Sequence, residues 1–540
     1  MRQKNNKLQI YLPIAFSVVL IAGIWIGTLM VGNRNVNNSI IPIGNNNYNK
    51  VGDVLDYIVQ DYVDSVELNS LETVAITEML QELDPHSAYI VKEDFHQVND
   101  PLLGSFEGIG ITFRIEKDTI TVISPIPGGP SEKVGLMAGD RIVKIDDSLV
   151  AGIGITNNGA IKMLKGKKGT KVNVTNYRRG VPKLIDFTIT RDVIPTYSID
   201  IAYMVDDSIG YIKINKFSAT TFEEFTEAAN QLRDEGMTKL IIDLRANPGG
   251  YLQAAIDICD EFLTDGKLIV YTEGKNRPRR HAFATNNGDF DKIDVAVLID
   301  ENSASASEIV AGALQDNDKG LIIGRRSFGK GLVQEQVNLP DGSAVRLTVA
   351  RYYTPTGRSI QKPYENGDSE GYYADHVKRY LNGEMQNQDS IHFDDSLKFI
   401  TPDGKAVYGG GGIMPDIFVP IITDSVHTFY NLLANKGLIF QFAFDYTDKN
   451  RAKLSKFKDF ETFNKGFNMD NNTFNELVAY ANEKGISQDD DKVEISNEKI
   501  KILFKAFVGR NVLNEKGFYP IFHSIDTTFK RAVEEIRNFN

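Results

Sequence analysis

Residues 295–314 read Val-Ala-Val-Leu-Ile-Asp-Glu-Asn-Ser-Ala-Ser-Ala-Ser-Glu-Ile-Val-Ala-Gly-Ala-Leu. The apolar run that ends at Asp300 is a buried strand, and the segment from Ser307 carries a helical pattern. Small residues and serines fill the turn between them. A strand that feeds a helix in this way is the unit of an α/β fold, in which chemistry sits at strand ends. Ser305 then lies at a helix N-terminus, where free backbone N–H groups can hold a developing oxyanion. A plainer reading is equally open at this point: Ser303, Ser305 and Ser307 are ordinary helix caps.

The same layering extends on both sides. Ile209-Gly-Tyr-Ile-Lys-Ile-Asn215 and Lys239-Leu-Ile-Ile-Asp-Leu244 are strands. Between them, 220–235 is an amphipathic helix with the apolar stripe Phe222, Phe225, Ala229 and Leu232. Thr220 and Glu223 are spaced as its capping box. Asn247-Pro-Gly-Gly250 follows the second strand and opens another helix, so the N–H groups of Gly249 and Gly250 are candidate oxyanion donors. Downstream, Lys330 stands between two glycines in Ser327-Phe-Gly-Lys-Gly331, with Gln334 four residues on. A serine hydroxyl is a poor nucleophile until its proton is removed. A lysine amine can remove it if burial lowers its pKa by about three units, because desolvation disfavours the charged form. The alternative for Lys330 is a solvated surface lysine.

From 101 to 195 short β-type runs are divided by glycine turns. Gly108-Ile-Gly-Ile111 opens this region; its glycines let successive N–H groups form a nest for a terminal carboxylate, and its isoleucines line an apolar pocket. Residues 363–404 are polar and irregular and read as an insertion. After Val419 the chain turns helix-rich, beginning with the stripe Val426, Phe429, Tyr430 and Leu433. At the other end, 51–96 is helical up to the break at Leu83-Asp-Pro-His-Ser-Ala-Tyr89.

Residues 10–31 form a run of 22 residues without charge, about 33 Å long as a helix, which suits a bilayer core. Arg2, Lys4 and Lys7 precede it, which keeps that side in the cytoplasm and places the rest of the chain outside. No small-residue cleavage site ends the run, so an uncleaved anchor is expected rather than a signal peptide. The asparagine-rich stretch after it is a tether. The net charge of −12, without a basic stripe or arm, argues against nucleic acid. The seven histidines show no metal-ligand spacing, so neither a metal site nor a cofactor is expected. The single cysteine, Cys259, excludes an internal disulfide and reads as a core residue.

Several of these strings resemble the carboxy-terminal processing, or tail-specific, serine proteases. They are Asn302-Ser-Ala-Ser-Ala-Ser-Glu-Ile309, Phe328-Gly-Lys-Gly331 with Gln334, Leu244-Arg-Ala-Asn-Pro-Gly-Gly250, Tyr353-Thr-Pro-Thr-Gly-Arg-Ser-Ile360 and Gly412-Ile-Met-Pro-Asp-Ile417. Region 101–195 resembles the PDZ domain of those enzymes through Gly108-Ile-Gly-Ile111, Gly128-Gly-Pro-Ser-Glu-Lys-Val-Gly-Leu136 and Ala138-Gly-Asp140. The resemblance implies Ser305 as nucleophile, Lys330 as general base and Gln334 as the residue that orients it. It implies an oxyanion hole made by the N–H of Ala306 and one of the glycines 249 and 250. Gly108, Ile109, Gly110 and Ile111 would bind the peptide end. Relatives often carry arginine just before the Gly-Lys-Lys-Gly turn; here the position is Lys165.

The expected architecture is therefore α/β and β-rich multidomain. A cytoplasmic stub (1–9), an anchor (10–31) and a linker (32–50) lead into a helical N-terminal region (51–100). A PDZ domain (101–195) stands ahead of an α/β core of the crotonase or tail-protease type (196–420, with the 363–404 insertion), and a helical extension (421–540) follows. The expected function is that of a single-pass, inner-membrane enzyme whose catalytic part is extracytoplasmic and cuts proteins near exposed C-terminal tails. Region 51–96 resembles a part that relatives use for assembly, which leaves homo-oligomers open. An inactive, tethered peptide-binding scaffold would bind tails without turnover, and the intact Ser305, Lys330 and Gln334 set argues against it. A crotonase-like acyl-thioester enzyme would share the oxyanion turns but has no use for the PDZ-like region.

Overall fold

The computed structural model describes residues 49–392, 394–421 and 426–539, together with Ala22. It divides into a unit of residues 1–72 and a unit of residues 73–540. The expected anchor at 10–31 lies outside the described residues apart from Ala22. Among the described residues no helix is long and apolar enough to cross a membrane. In the first unit the helix Lys50–Asp61 is capped by the Asn49 side chain, which accepts from the Gly52 N–H at 3.1 Å. None of its residues is buried.

The centre of the second unit is a six-stranded sheet in the order Ile199–Met204, Ile209–Ile214, Lys239–Asp243, Asp294–Ile299, Gly320–Gly324, Ile417–Phe418. The first pair is antiparallel and the remaining pairs are parallel. Most positions of its strands are apolar because helices cover both faces. Alternate residues split between the faces. Leu240, Ile242, Val295 and Val297 meet the helices Thr221–Asp234, Leu252–Asp260 and Ala306–Asp316. Ile241, Ala296, Leu298 and Ile323 meet Phe529, Ala532 and Ile536 of the last helix, Thr527–Asn538. Full burial of side chains such as Phe529 and Ile536 contributes about 1.5–3 kcal/mol each. The far end of the chain thus completes the layer beneath the central sheet.

The helix Thr221–Asp234 does begin at Thr220, but its partner differs from the expected capping box. The Thr220 hydroxyl donates to Glu224 at 2.6 Å, and Glu224 also accepts from the N–H groups of Ser198 and Ile199. Glu223 takes no part because the Thr220 side chain makes no cap bond to the helix. The segment 363–404 is less irregular than expected. It contains the helix Ser369–Leu381, whose Asp368 cap accepts from the Gly371 N–H at 2.8 Å.

A second sheet brings together Ala88–Ile90, Leu332–Asn338, Ala344–Tyr353, Leu268–Gly274 and Arg277–Phe283, all antiparallel. Residues 105–195 form a separate β domain with its own core of Ile109, Ile120, Val122, Ile142, Val172 and Ile189. Its entry strand Ser105–Gly108 and exit strand Asp192–Pro195 pair with each other, so the domain hangs from a two-stranded stem. The C-terminal helices between 428 and 522 pack around Phe429, Phe442, Phe463 and Phe504. This helical body grips the β domain at one edge. The Arg114 guanidinium lies 4.5 Å from the centre of the Phe444 ring. Arg451 donates to the Ala138 carbonyl and is itself held by Asp448 at 2.7 Å.

Candidate active site

The parallel strands end at one edge of the central sheet, and the turns after Lys239–Asp243 and Asp294–Ile299 meet there. Ser303 and Ser307 are fully buried and their hydroxyls are committed. Ser303 donates to the Leu244 carbonyl at 2.9 Å, and Ser307 to the Asn247 carbonyl at 3.0 Å. Those two bonds tie the serine turn to the strand end at Leu244 and to the Asn247-Pro-Gly-Gly250 turn. Only Ser305 of the three lines a cleft of about 620 Å³, together with Gly249, Gly250, Lys330, Gln334 and Arg346.

Ser305 sits at φ +55°, an uncommon conformation for a residue with a side chain. Glu308, one turn into the helix, explains why it stays there. Its buried carboxylate accepts from the Ser305 N–H at 2.8 Å, the Lys330 N–H at 2.9 Å, the Gly329 N–H at 2.7 Å and the Ser327 hydroxyl at 2.5 Å. One side chain therefore fixes the backbone of the serine and of the lysine loop. Burial pushes its carboxyl up to about 7, against the pull of those four donors. Tyr352 adds a second tie, its hydroxyl donating to the carbonyls of both Ser305 and Lys330.

Lys330 is part-buried, and its Nζ donates to Gln334 Oε1 at 3.1 Å. Burial pushes its amine below the ordinary lysine value, and the neighbouring positive charge of Arg346 pushes further the same way. Gln334 is itself oriented, since its Nε2 donates to the His86 carbonyl. The His86 turn is held by Asp84, which accepts from the N–H groups of His86 and Ser87 at 2.8 and 2.9 Å. The Asp-Pro break seen in the sequence is thus part of the lysine's support. The helix Ser369–Leu381 contributes as well. Tyr372 meets His86 Nε2 at 3.0 Å, and Arg379 donates to the Ser327 carbonyl at 3.0 Å.

Gly249 presses against the serine: a Cβ there would stand 2.6 Å from Ser305 Cβ and 2.9 Å from the Ala306 nitrogen. Its own N–H bonds to the Asn247 side chain at 2.8 Å. Below this turn, burial would raise the Asp243 carboxyl, but Arg245 and Lys213 beside it hold it well below the usual range. Arg245 also pairs with Asp526 at 2.8 Å, which ties the C-terminal segment to the strand end.

The β-domain residues lie elsewhere. Ile109, Gly110 and Ile111 line a separate, mostly apolar pocket of about 280 Å³ with Phe106, Phe113 and Leu164. Ile109 is almost fully buried and belongs chiefly to the domain core. Gly108 stands behind the pocket, where a Cβ would meet the Phe106 ring at 3.2 Å. Lys165, at the pocket rim, pairs with Asp100 at 2.8 Å.

Sequence reasoning did not single out Glu308, His86, Tyr352 or Tyr372. Only Glu308 left a signal, since Ser305-Ala-Ser-Glu308 has capping-box spacing. The others reach the site from distant parts of the chain.

Comparison with known proteins agrees with this architecture. Residues 208–368 match Peptidase family S41, 108–189 match the PDZ domain, and 429–514 match a family of unknown function, DUF8443. The carboxy-terminal-processing protease of Bartonella bacilliformis is 41% identical over 317 residues, covering 58% of this chain and 72% of the relative. The carboxy-terminal processing protease CtpA of Bacillus subtilis is 35% identical over 382 residues, covering 68% and 81%. Among solved structures, the photosystem II D1 C-terminal processing protease aligns at 27% identity with a TM-score of 0.34, over 57% of this chain and 89% of that one. The chain belongs to peptidase family S41, the carboxy-terminal processing serine proteases, and carries a PDZ domain ahead of the peptidase core.

Proposed function

We propose that the protein is a membrane-anchored, extracytoplasmic endopeptidase that cuts near protein C-termini by a serine–lysine mechanism. The observation that carries the catalytic part is the part-buried Lys330, held by Gln334 in the same cleft as Ser305. The PDZ pocket takes the end of an exposed tail, its apolar last side chains against Phe106, Ile111 and Phe113 and its carboxylate toward the Gly108–Ile111 backbone. The neutral Lys330 amine takes the Ser305 proton, and Ser305 Oγ attacks the scissile carbonyl. The N–H groups of Ala306 and Gly250 stabilise the oxyanion at the helix N-terminus, the Gly249 N–H being held by Asn247. The lysine then returns its proton to the leaving amine, and water hydrolyses the acyl-enzyme.

The uncharged run 10–31 behind Arg2, Lys4 and Lys7 supports an inner-membrane anchor with the catalytic part outside. The unburied apolar residues Val51, Val54 and Tyr57 support assembly between copies. Ser305→Ala and Lys330→Ala should each lower cleavage of a tail peptide at least about a thousandfold while leaving peptide binding intact. Mass spectrometry of the products and fluorescence binding measure the two. Wild-type turnover in Ser305→Ala would refute the mechanism. Membrane fractionation with external protease digestion tests the placement.

A further inference from the structure

The strand Leu332–Asn338 runs antiparallel to Ala344–Tyr353, with Gln334 opposite Thr348 and Gln336 opposite Arg346. Residues two apart on a strand share a face. Gln334 and Gln336 therefore point the same way, and Arg346 stands beside Gln336, about 7 Å along the strand from Gln334. Ser305, Lys330, Gln334, Gln336 and Arg346 all line the one cleft.

Arg346 is unlike the other arginines near the site. Arg325 is paired with Glu301 at 2.7 Å, Arg326 with Glu384 at 2.5 Å and Arg358 with Asp316 at 2.6 Å. Arg346 is half-buried, and among the described residues no carboxylate pairs with it. Its Nη2 donates to Gln336 Oε1 at 3.0 Å and reaches Asn99 Oδ1 at 3.5 Å. Both acceptors are neutral amides. They hold the guanidinium in place without neutralising it, and its Nε and Nη1 have no acceptor among the described residues. A part-buried cation with unused donors in a substrate cleft is a binding group for an anion, since a bound carboxylate replaces lost hydration with charge-assisted bonds.

We infer that Arg346 is a specificity-determining residue that receives a carboxylate of the chain lying in the cleft. The carboxylate is an acidic side chain near the scissile bond, since in the proposed reading the free α-carboxylate of the tail lies in the PDZ pocket. Arg346 touches neither Ser305 nor the reacting bond in this role; it selects and positions the substrate. Asn99 comes from the helix Phe95–Leu103, which leads into the PDZ stem, so the same contact steadies the segment that carries the PDZ domain.

This inference rests on the proposed catalytic reading of Ser305, and the test separates the two. The full chain is given peptides in which one Glu or Gln is scanned through each position, each made with a free and an amidated C-terminus. The wild type should prefer Glu over Gln at one position by about ten- to a hundredfold in kcat/KM, with either end. Arg346→Gln should bring that ratio close to one, and Arg346→Lys should keep part of it. The position whose ratio collapses is the one that Arg346 reads; collapse of the free-end ratio alone would overturn the assignment. If wild type shows no Glu preference, or if that preference survives Arg346→Gln, the inference is overturned. Cleavage by Ser305→Ala would instead overturn the catalytic reading.

Discussion

The catalytic cleft and the PDZ pocket lie in the same unit of the chain and are built on opposite principles. In the cleft, polar groups are tied several times over: Glu308 alone accepts four hydrogen bonds from the serine turn and the lysine loop. In the pocket the lining is chiefly apolar, with Lys216 and an ion pair between Lys165 and Asp100 as its charged groups. The difference follows from the work proposed for each. Proton transfer requires atoms fixed within fractions of an ångström, so the surrounding fold over-determines them. Recognition of varied tails needs apolar area and a few backbone donors, which tolerate different side chains.

Four expected outcomes would break or sharpen that comparison. The largest concerns Glu308. Glu308→Ala leaves four buried donors without an acceptor, so activity should fall by at least about a thousandfold and stability by about 3 kcal/mol or more. Turnover and urea unfolding measure the two, and near-wild-type values in both would show that the cleft is not held through this carboxylate.

The second concerns pH. Burial and Arg346 lower the pKa of Lys330, and in the proposed mechanism its neutral form is the base. Activity should therefore rise with pH and level off below the ordinary lysine value of about 10.5. A kcat/KM profile that falls steadily from pH 6 to 9 in folded protein would contradict the role of Lys330.

The third concerns the pocket. Ile111→Asn should raise KM for a tail peptide about tenfold and leave kcat within about twofold, because it removes apolar binding area in a pocket distinct from the cleft. A fall in kcat with unchanged KM would show that the pocket acts on the cleft rather than on the tail.

The smallest is a stability effect away from both sites. His523 is buried against Tyr203 and Phe529, and burial lowers its pKa to about 4. Its folded pKa is depressed below the unfolded value of about 6.5. Its contribution is therefore present above pH 6.5 and lost as pH falls toward 4. Melting temperature should decline across that window, and His523→Phe should flatten part of the decline.

Much of the cleft was legible in the sequence because its parts are local. A strand, a serine turn and a helix are contiguous in 295–314, and Lys330 and Gln334 share one loop and strand. The capping-box spacing of Ser305 and Glu308 was also readable, although nothing local said that Glu308 would reach the lysine loop. The helix in 363–404 was missed because its sequence is polar, and it is held by Tyr372 and Arg379 packing against the site rather than by a strong apolar stripe.

The sequence by itself determined the family motifs, the α/β layering and the order of the domains, since strand and helix periods and turn residues act over short range. Only the tertiary structure decided which serine hydroxyl is left for the cleft. Ser303 and Ser307 are committed to carbonyls more than fifty residues away in the chain, at Leu244 and Asn247. The same is true of the His86 carbonyl behind Gln334, the C-terminal helix beneath the sheet and the charge of Arg346, which has no carboxylate partner among the described residues. Each depends on which distant groups come within hydrogen-bond reach, and that is fixed when the layers pack.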